Sequence, residues 1–224
     1  MRKLLEIAVF NYTSALIAAN AGADRIELCK DYFSGGLTPE INELELFKKK
    51  YTTPVFVMIR PTHGNFTYNT SQIRKMCLAI ENFKQAGADG FVFGCLNKSG
   101  MLDMNNLEKL VVASANYPTT FHRAIDAIVD TETAIEKLIE LGVTRILTAG
   151  KQSNAFDGKE KLAEWNTFFG KKIAIMPGGG IRSHNIQSIA EVTGLNEFHS
   201  AALGLNCQTT DSDQVKNLKS ALQF

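Results

Sequence analysis

The sequence predicts a single (β/α)8 barrel, a TIM-type parallel α/β ring, over residues 1–224. Three observations predict it. Short β-rich apolar runs alternate eight times with amphipathic stretches, and strand-then-helix order implies right-handed crossovers and a parallel sheet. A glycine recurs where a helix hands over to a strand. The unusual polar residues fall at the C-terminal ends of the strands, the face on which such barrels carry their sites.

The first strand is read at residues 4–10 and its helix at 12–21. The next three units pair 25–29 with 40–50, 55–60 with 71–86, and 90–96 with 105–115. In the fifth, 119–123 leads to 131–141, where Ala134, Leu138 and Leu141 form one apolar stripe with Ile135 and Ile139 beside it. The last three pair 145–148 with 159–169, 172–176 with 183–191, and 197–200 with 212–222. Gly22, Gly87, Gly142 and Gly194 each stand where a helix stops, a position that wants a left-handed residue. Asp130, Asp157 and Ser183 read as helix N-caps. An open doubly wound sheet is the rival, but it usually has a glycine-rich first turn. Phe10-Asn11-Tyr12-Thr13 has no glycine.

Composition excludes some functions. Lys and Arg number 24 against 23 Asp and Glu, so no basic face is expected for nucleic acid or an anionic membrane. No run approaches the roughly 18 apolar residues of a membrane span. Met1-Arg2-Lys3 runs straight into a short apolar segment containing Glu6, which does not read as a secretory leader. Cys29, Cys77, Cys95 and Cys207 are scattered, with no structural-zinc spacing. A cytoplasmic protein with unbridged thiols is the expectation. Cys77 reads as packing and Cys207 lies in a polar stretch, whereas Cys29 and Cys95 end strands and are candidates for a metal or nucleophile role.

The C-terminal face gathers the chemistry. Arg60 closes the third strand, His122 and Arg123 close the fifth with Asp126 just beyond, and His199 closes the eighth. Glu6 and Glu27 sit inside apolar strands, where alternation can aim them into the barrel. Buried carboxylates need partners, and Arg60 and Arg123 are the cations this reading offers them. One reading is a satisfied ion network. The other is acid–base work by Glu6, Glu27, His122, His199 and Asp126, with Arg60 and Arg123 holding an anionic substrate. Gly150 ends the sixth strand, and Gly178, Gly179 and Gly180 follow the seventh and open a helix. Backbone N–H groups at such turns suit a phosphate or carboxylate, and the last two loops are the usual barrel phosphate site.

These residues resemble the CutC copper homeostasis family over nearly the whole chain. The resemblance rests on Gly22-Ala23-Asp24-Arg25-Ile26-Glu27-Leu28-Cys29, Gly35-Gly36-Leu37-Thr38-Pro39, Val57-Met58-Ile59-Arg60-Pro61 and Thr120-Phe121-His122-Arg123-Ala124. It continues through Arg145-Ile146-Leu147-Thr148, Met176-Pro177-Gly178-Gly179-Gly180-Ile181 and Glu197-Phe198-His199-Ser200. It implies a barrel, a homo-oligomer, a cytoplasmic location and copper handling, with Cys29 as the candidate Cu(I) ligand. Some members carry a further cysteine in the first strand, where this chain has Ala8. A lone thiolate falls short of the two or more sulfurs usual for Cu(I). The family's Arg-Pro-Arg-Gly-Gly-Asp-Phe run stands here as Arg60-Pro61-Thr62-His63-Gly64-Asn65-Phe66, and the glutamate before the paired glycines is Ser34.

Two functions follow as expectations, with a non-catalytic scaffold behind them. The first is the family role in copper homeostasis, with copper bound directly. The second is a lyase, isomerase or hydrolase acting on a small anionic or phosphorylated metabolite, since no nucleotide-cofactor signature is visible.

Overall fold

Alternation along each strand decides the architecture of the chain. In the computed structural model, which describes residues 3–204 and 209–223, eight strands form one parallel ladder. They are β1 (Leu4–Val9), β2 (Arg25–Leu28), β3 (Val55–Met58), β4 (Gly90–Phe93), β5 (Thr119–Phe121), β6 (Arg145–Thr148), β7 (Ala174–Pro177) and β8 (Glu197–Ser200). The ladder runs β7-β6-β5-β4-β3-β2-β1-β8, and β7 packs beside β8 to bring the ring nearly closed. This is the (β/α)8 barrel that the sequence predicts.

Eight helices alternate with the strands: α1 (Tyr12–Asn20), α2 (Ile41–Lys48), α3 (Thr70–Gln85), α4 (Met104–Ser114), α5 (Thr131–Glu140), α6 (Lys159–Phe169), α7 (Ile186–Thr193) and α8 (Ser212–Ala221). Leu5, Ile7, Ile26, Val57, Phe91, Phe121, Ile146 and Phe198 point outward and are buried in the main apolar core with helix residues such as Leu44, Ile80 and Trp165. In-register partners such as Ile7 and Ile26 share that face, and the residues that alternate with them along each strand point inward. The four joint glycines all take the positive φ expected of them.

Three local expectations are corrected. Asp157 does not cap α6; its carboxylate accepts from Asn154 Nδ2 at 2.6 Å, and Gly158 takes the cap position. Ser183 does not cap α7, which begins after Asn185, whose side chain accepts from Arg182 N. β7 starts at Ala174 because the Lys172 and Ile173 N–H groups donate to Phe169 O, closing the end of α6. Asp130 caps α5 as expected, accepting from Thr133 N. Cys207 lies outside the described residues.

Candidate functional site

Period-two alternation fills the barrel with charge as well as apolar side chains. Arg25, Arg145 and Glu197 open β2, β6 and β8 and face inward at the N-terminal end. Arg145 grips Glu197 with two bonds of 2.6 and 2.9 Å, and Arg25 reaches the same carboxylate at 2.7 Å. The Arg25 Nε donates to Glu6 Oε2 at 2.5 Å. Both guanidinium groups flank the Phe56 ring, at 4.6 and 5.3 Å from its centroid. Gly90 leaves that ring its space, since a Cβ there would lie 2.6 Å from it.

The network climbs toward the mouth through His199. Its Nδ1 donates to Glu6 Oε1 at 2.7 Å, and its Nε2 stands 3.8 Å from Glu27 Oε2. The Cys29 thiol donates to that same oxygen at 3.5 Å. Signs therefore alternate from Arg145 through Glu197, Arg25, Glu6 and His199 to Glu27. Burial alone would raise the Glu6 pKa, but Arg25 and then the His199 hydrogen bond outweigh it and hold the carboxyl far below its ordinary range. Burial opposes a charged His199 too, yet Glu27 and Glu6 together raise its pKa. Glu27 goes the other way: burial raises its pKa, with His199 offsetting only part.

This changes the roles read from sequence. Glu6 and Glu27 take their charge partners from Arg25 and His199, not from Arg60 and Arg123. Glu6 is fully buried and does not line the cavity; its carboxylate holds His199. Asp126 is consumed as well. Its carboxylate accepts from Thr148 Oγ1 at 2.5 Å, Ala149 N at 3.1 Å and Arg123 Nε at 2.9 Å. The turn after β6 thus holds an internal carboxylate where an external anion was expected. Gly150 donates its N–H to Thr148 Oγ1, and a Cβ on it would lie 2.5 Å from Gly158 O, so it is a packing glycine. Gly178 extends the ladder by donating to Thr148 O.

What remains forms a mouth. A cavity of about 500 Å³, within the range of small-molecule clefts, is lined by Glu27, Cys29, Arg60, His122, Arg123, Gly179, Gly180, Arg182 and His199 among others. The N–H groups of Gly179 and Gly180 find no protein acceptor among the described residues. Gly179 has φ +95°, and a Cβ on it would lie 2.9 Å from Arg123 Nη1. Arg60 is buried, yet its partners are carbonyls: Ser34 O at 2.6 Å, Gly36 O at 3.1 Å and Gly64 O at 3.3 Å. Its guanidinium also stacks 4.8 Å from the Phe66 centroid. No carboxylate pairs with it among the described residues.

The metal calculus is different. Glu6, Glu27 and His199 offer ligand atoms within 4.8 Å of one another, but oxygen and imidazole suit harder ions than Cu(I). Burial, then the Glu27 charge, pushes the Cys29 thiol well above its usual range, so it stays protonated. Cys95 is also raised by burial, to about 12, and lies outside the cavity lining.

Sequence reasoning missed Arg25, Arg145, Glu197 and Arg182. The first three had a legible signal. Each sits two residues before an inward residue, Glu27, Leu147 or His199, so alternation alone aims it into the barrel. Arg182 follows the triple glycine and gave no periodic cue.

Fold and mouth together define a (β/α)8 barrel with an ionic interior and a polar cavity at the C-terminal ends of its strands. Residues 3–204 match the CutC family. The chain is 41% identical over 199 residues to the copper homeostasis protein cutC homolog of Homo sapiens, covering 89% of this chain and 73% of that protein. It is 39% identical to the family protein CutC of Treponema denticola, covering 89% and 81%. The crystal structure of CutC from Streptococcus agalactiae superposes with a TM-score of 0.84 at 30% identity, covering 89% of this chain and 98% of that one. The chain belongs to the CutC family of copper homeostasis proteins.

Proposed function

We propose that this CutC protein binds a small anionic metabolite, phosphorylated or carboxylated, at the barrel mouth and carries out proton transfer on it. The observation that carries this is the surplus of unanswered donors facing one cavity. Among the described residues Arg60 is a buried cation with no carboxylate partner and an unpartnered Nε, and the Gly179 and Gly180 N–H groups lack acceptors. A buried charge is costly unless paired, so an anion is the occupant that best balances this mouth. Glu27 and His199 supply the acid–base pair; burial raises the pKa of Glu27, and, against burial, the Glu27 and Glu6 carboxylates raise that of His199. The reaction class is then a lyase, isomerase or hydrolase.

Inorganic phosphate tests the anion site. At ten times its Kd it should stabilise the fold by about 1.4 kcal/mol, or roughly 3–6 °C in Tm. It should also shift the Gly179 and Gly180 amide resonances. Gly179→Ala, which forces a Cβ against Arg123, should abolish that gain. Equal phosphate stabilisation of both proteins would remove the glycine cradle from the reading.

A second reading takes Cu(I) as cargo. One observation favours it: Cys29 Sγ lies 3.3 Å and the Met58 methyl 3.7 Å from the point where a Gly36 Cβ would sit. A thioether there supplies the second soft donor that Cys29 lacks. Opposing it, Cu(I) must displace a proton that burial and Glu27 hold on the thiol. On this reading Cys29→Ser loses at least about tenfold in Cu(I) affinity, about 1.4 kcal/mol. Equal, weak titrations of wild type and variant would sink it. Cys29, Cys77 and Cys95 are unbridged, and no described helix is long and apolar enough to cross a membrane; both support the proposal of a cytoplasmic location.

A further inference from the structure

We infer that His122 is a fixed neutral hydrogen-bond donor for a ligand oxygen, and that with Glu27 it selects a phosphorylated α-hydroxy-carbonyl compound as the ligand. This rests on the anion site proposed above and goes further, to the opposite end of the ligand.

The tautomer is set by the backbone. His122 Nδ1 accepts from Ala124 N at 3.2 Å, at the start of the 3₁₀ turn Arg123–Ala127. An acceptor Nδ1 on a neutral ring leaves the hydrogen on Nε2. The ring cannot swing away to find another partner. It lies against Gly94, where any Cβ would strike it, and the Phe66 ring sits 4.7 Å from its centroid. Burial and the nearby Arg60 charge lower its pKa to about 3, so it does not become an imidazolium near neutral pH.

Yet Nε2 is buried and unpartnered, and His122 lines the cavity. Glu27 Oε1 is likewise buried, unpartnered and in the cavity wall. Buried polar groups without partners are costly, so two of opposite kind on one cavity call for an occupant. A donor and an acceptor together match a carbonyl oxygen beside a hydroxyl or an acidic C–H. Gly179, Gly180, Arg123 and Arg182 meet the phosphate, while Arg60, which shares the Phe66 ring with His122, lends its charge to the carbonyl end.

The chemistry this arrangement suits is enolisation. Glu27 Oε1 takes the proton from the carbon next to the carbonyl. The C–H electron pair becomes the new C=C bond, and the carbonyl π pair moves to oxygen, where the His122 Nε2–H stabilises it. His199 carries a proton that can be returned to the enediolate. A neutral imidazole is a weak acid, which favours donation of a hydrogen bond over loss of the proton.

The test uses the full chain, uniformly 15N-labelled, and two probes, inorganic phosphate and 2-phosphoglycolate, the second an anion that mimics the enediolate. His122 should show a protonated Nε2 and a bare Nδ1 from about pH 5 to about pH 8. 2-Phosphoglycolate should move the His122 Nε2 resonance together with the Gly179 and Gly180 amides. His122→Gln should weaken 2-phosphoglycolate about tenfold or more while leaving the phosphate Kd unchanged. A protonated Nδ1 overturns the inference, as does an equal loss for both probes or no loss for either. The wild-type tautomer and shifts decide the matter if His122→Gln does not fold. If neither probe moves the Gly179 and Gly180 amides, the anion site itself is overturned; if they move and His122 does not, only the His122 inference is.

Discussion

Arg25→Met will cost the fold about 3–5 kcal/mol, the loss expected when one member of a buried ion network is removed and the others keep their charge. Arg25 neutralises Glu6, which has no exposed surface, and shares Glu197 with Arg145. Methionine preserves the aliphatic volume beside Phe56 but leaves Glu6 with His199 as its remaining partner. Burial would then push the Glu6 carboxyl upward, where Arg25 now holds it down. Adding Glu6→Gln should return part of the loss, because the stranded charge goes with it. Urea unfolding at pH 7 reads both variants through the midpoint at constant slope. A loss under about 1 kcal/mol for Arg25→Met would show that the network is solvated in a way its burial denies.

The second large effect is a pH dependence opposed by its own neighbours. His122 has a folded pKa of about 3 against 6.5 for the free side chain. As pH falls below 6.5 the unfolded chain gains a proton that the folded chain refuses, so stability drops toward pH 3. Between pH 6.5 and 4.5 the drop attributable to His122 is about 2–3 kcal/mol, at 1.36 kcal/mol per unit. Glu27 and His199 have the opposite sense. Both folded pKa values are raised, so their contribution is complete below the unfolded values of 4.5 and 6.5 and is lost as pH rises through the folded ones. Glu6 and Glu197 are lowered; their stabilisation is present above 4.5 and is lost on further acidification. The stability difference between wild type and His122→Gln cancels the other groups to first order. It should change by those 2–3 kcal/mol across the window, in the sense that the variant gains relative to wild type in acid. A difference that stays flat would mean His122 takes up its proton in the folded state.

Much of the barrel was legible because its signals are local. The helix stripe at Ala134, Leu138 and Leu141, the glycines at four of the joints, and the apolar strand runs each follow from the geometry of a few successive residues. The placing of Arg60, His122, Arg123 and His199 at strand ends was legible for the same reason. The misreadings came where a short-range choice had competitors. Asp157 had Asn154 within reach, and Ser183 lay in a turn that Asn185 completed. Asp126 looked like a catalytic acid and instead answers the donors of the turn after β6.

By itself, the sequence determined that eight strand–helix units would form a parallel ring with a glycine-bearing polar mouth, because periodicity and turn chemistry act over a few residues. Only the tertiary structure decided which charges meet. Arg25 and Arg145 reach Glu6 and Glu197 because parallel register sets residues from distant parts of the chain side by side inside the ring. Among the described residues that same register leaves Arg60 hydrogen-bonded to carbonyls, with no carboxylate partner, and His122 Nε2 without a partner in the cavity wall. Pairing inside a barrel depends on strand order and register, and no span of sequence shorter than the whole ring contains either.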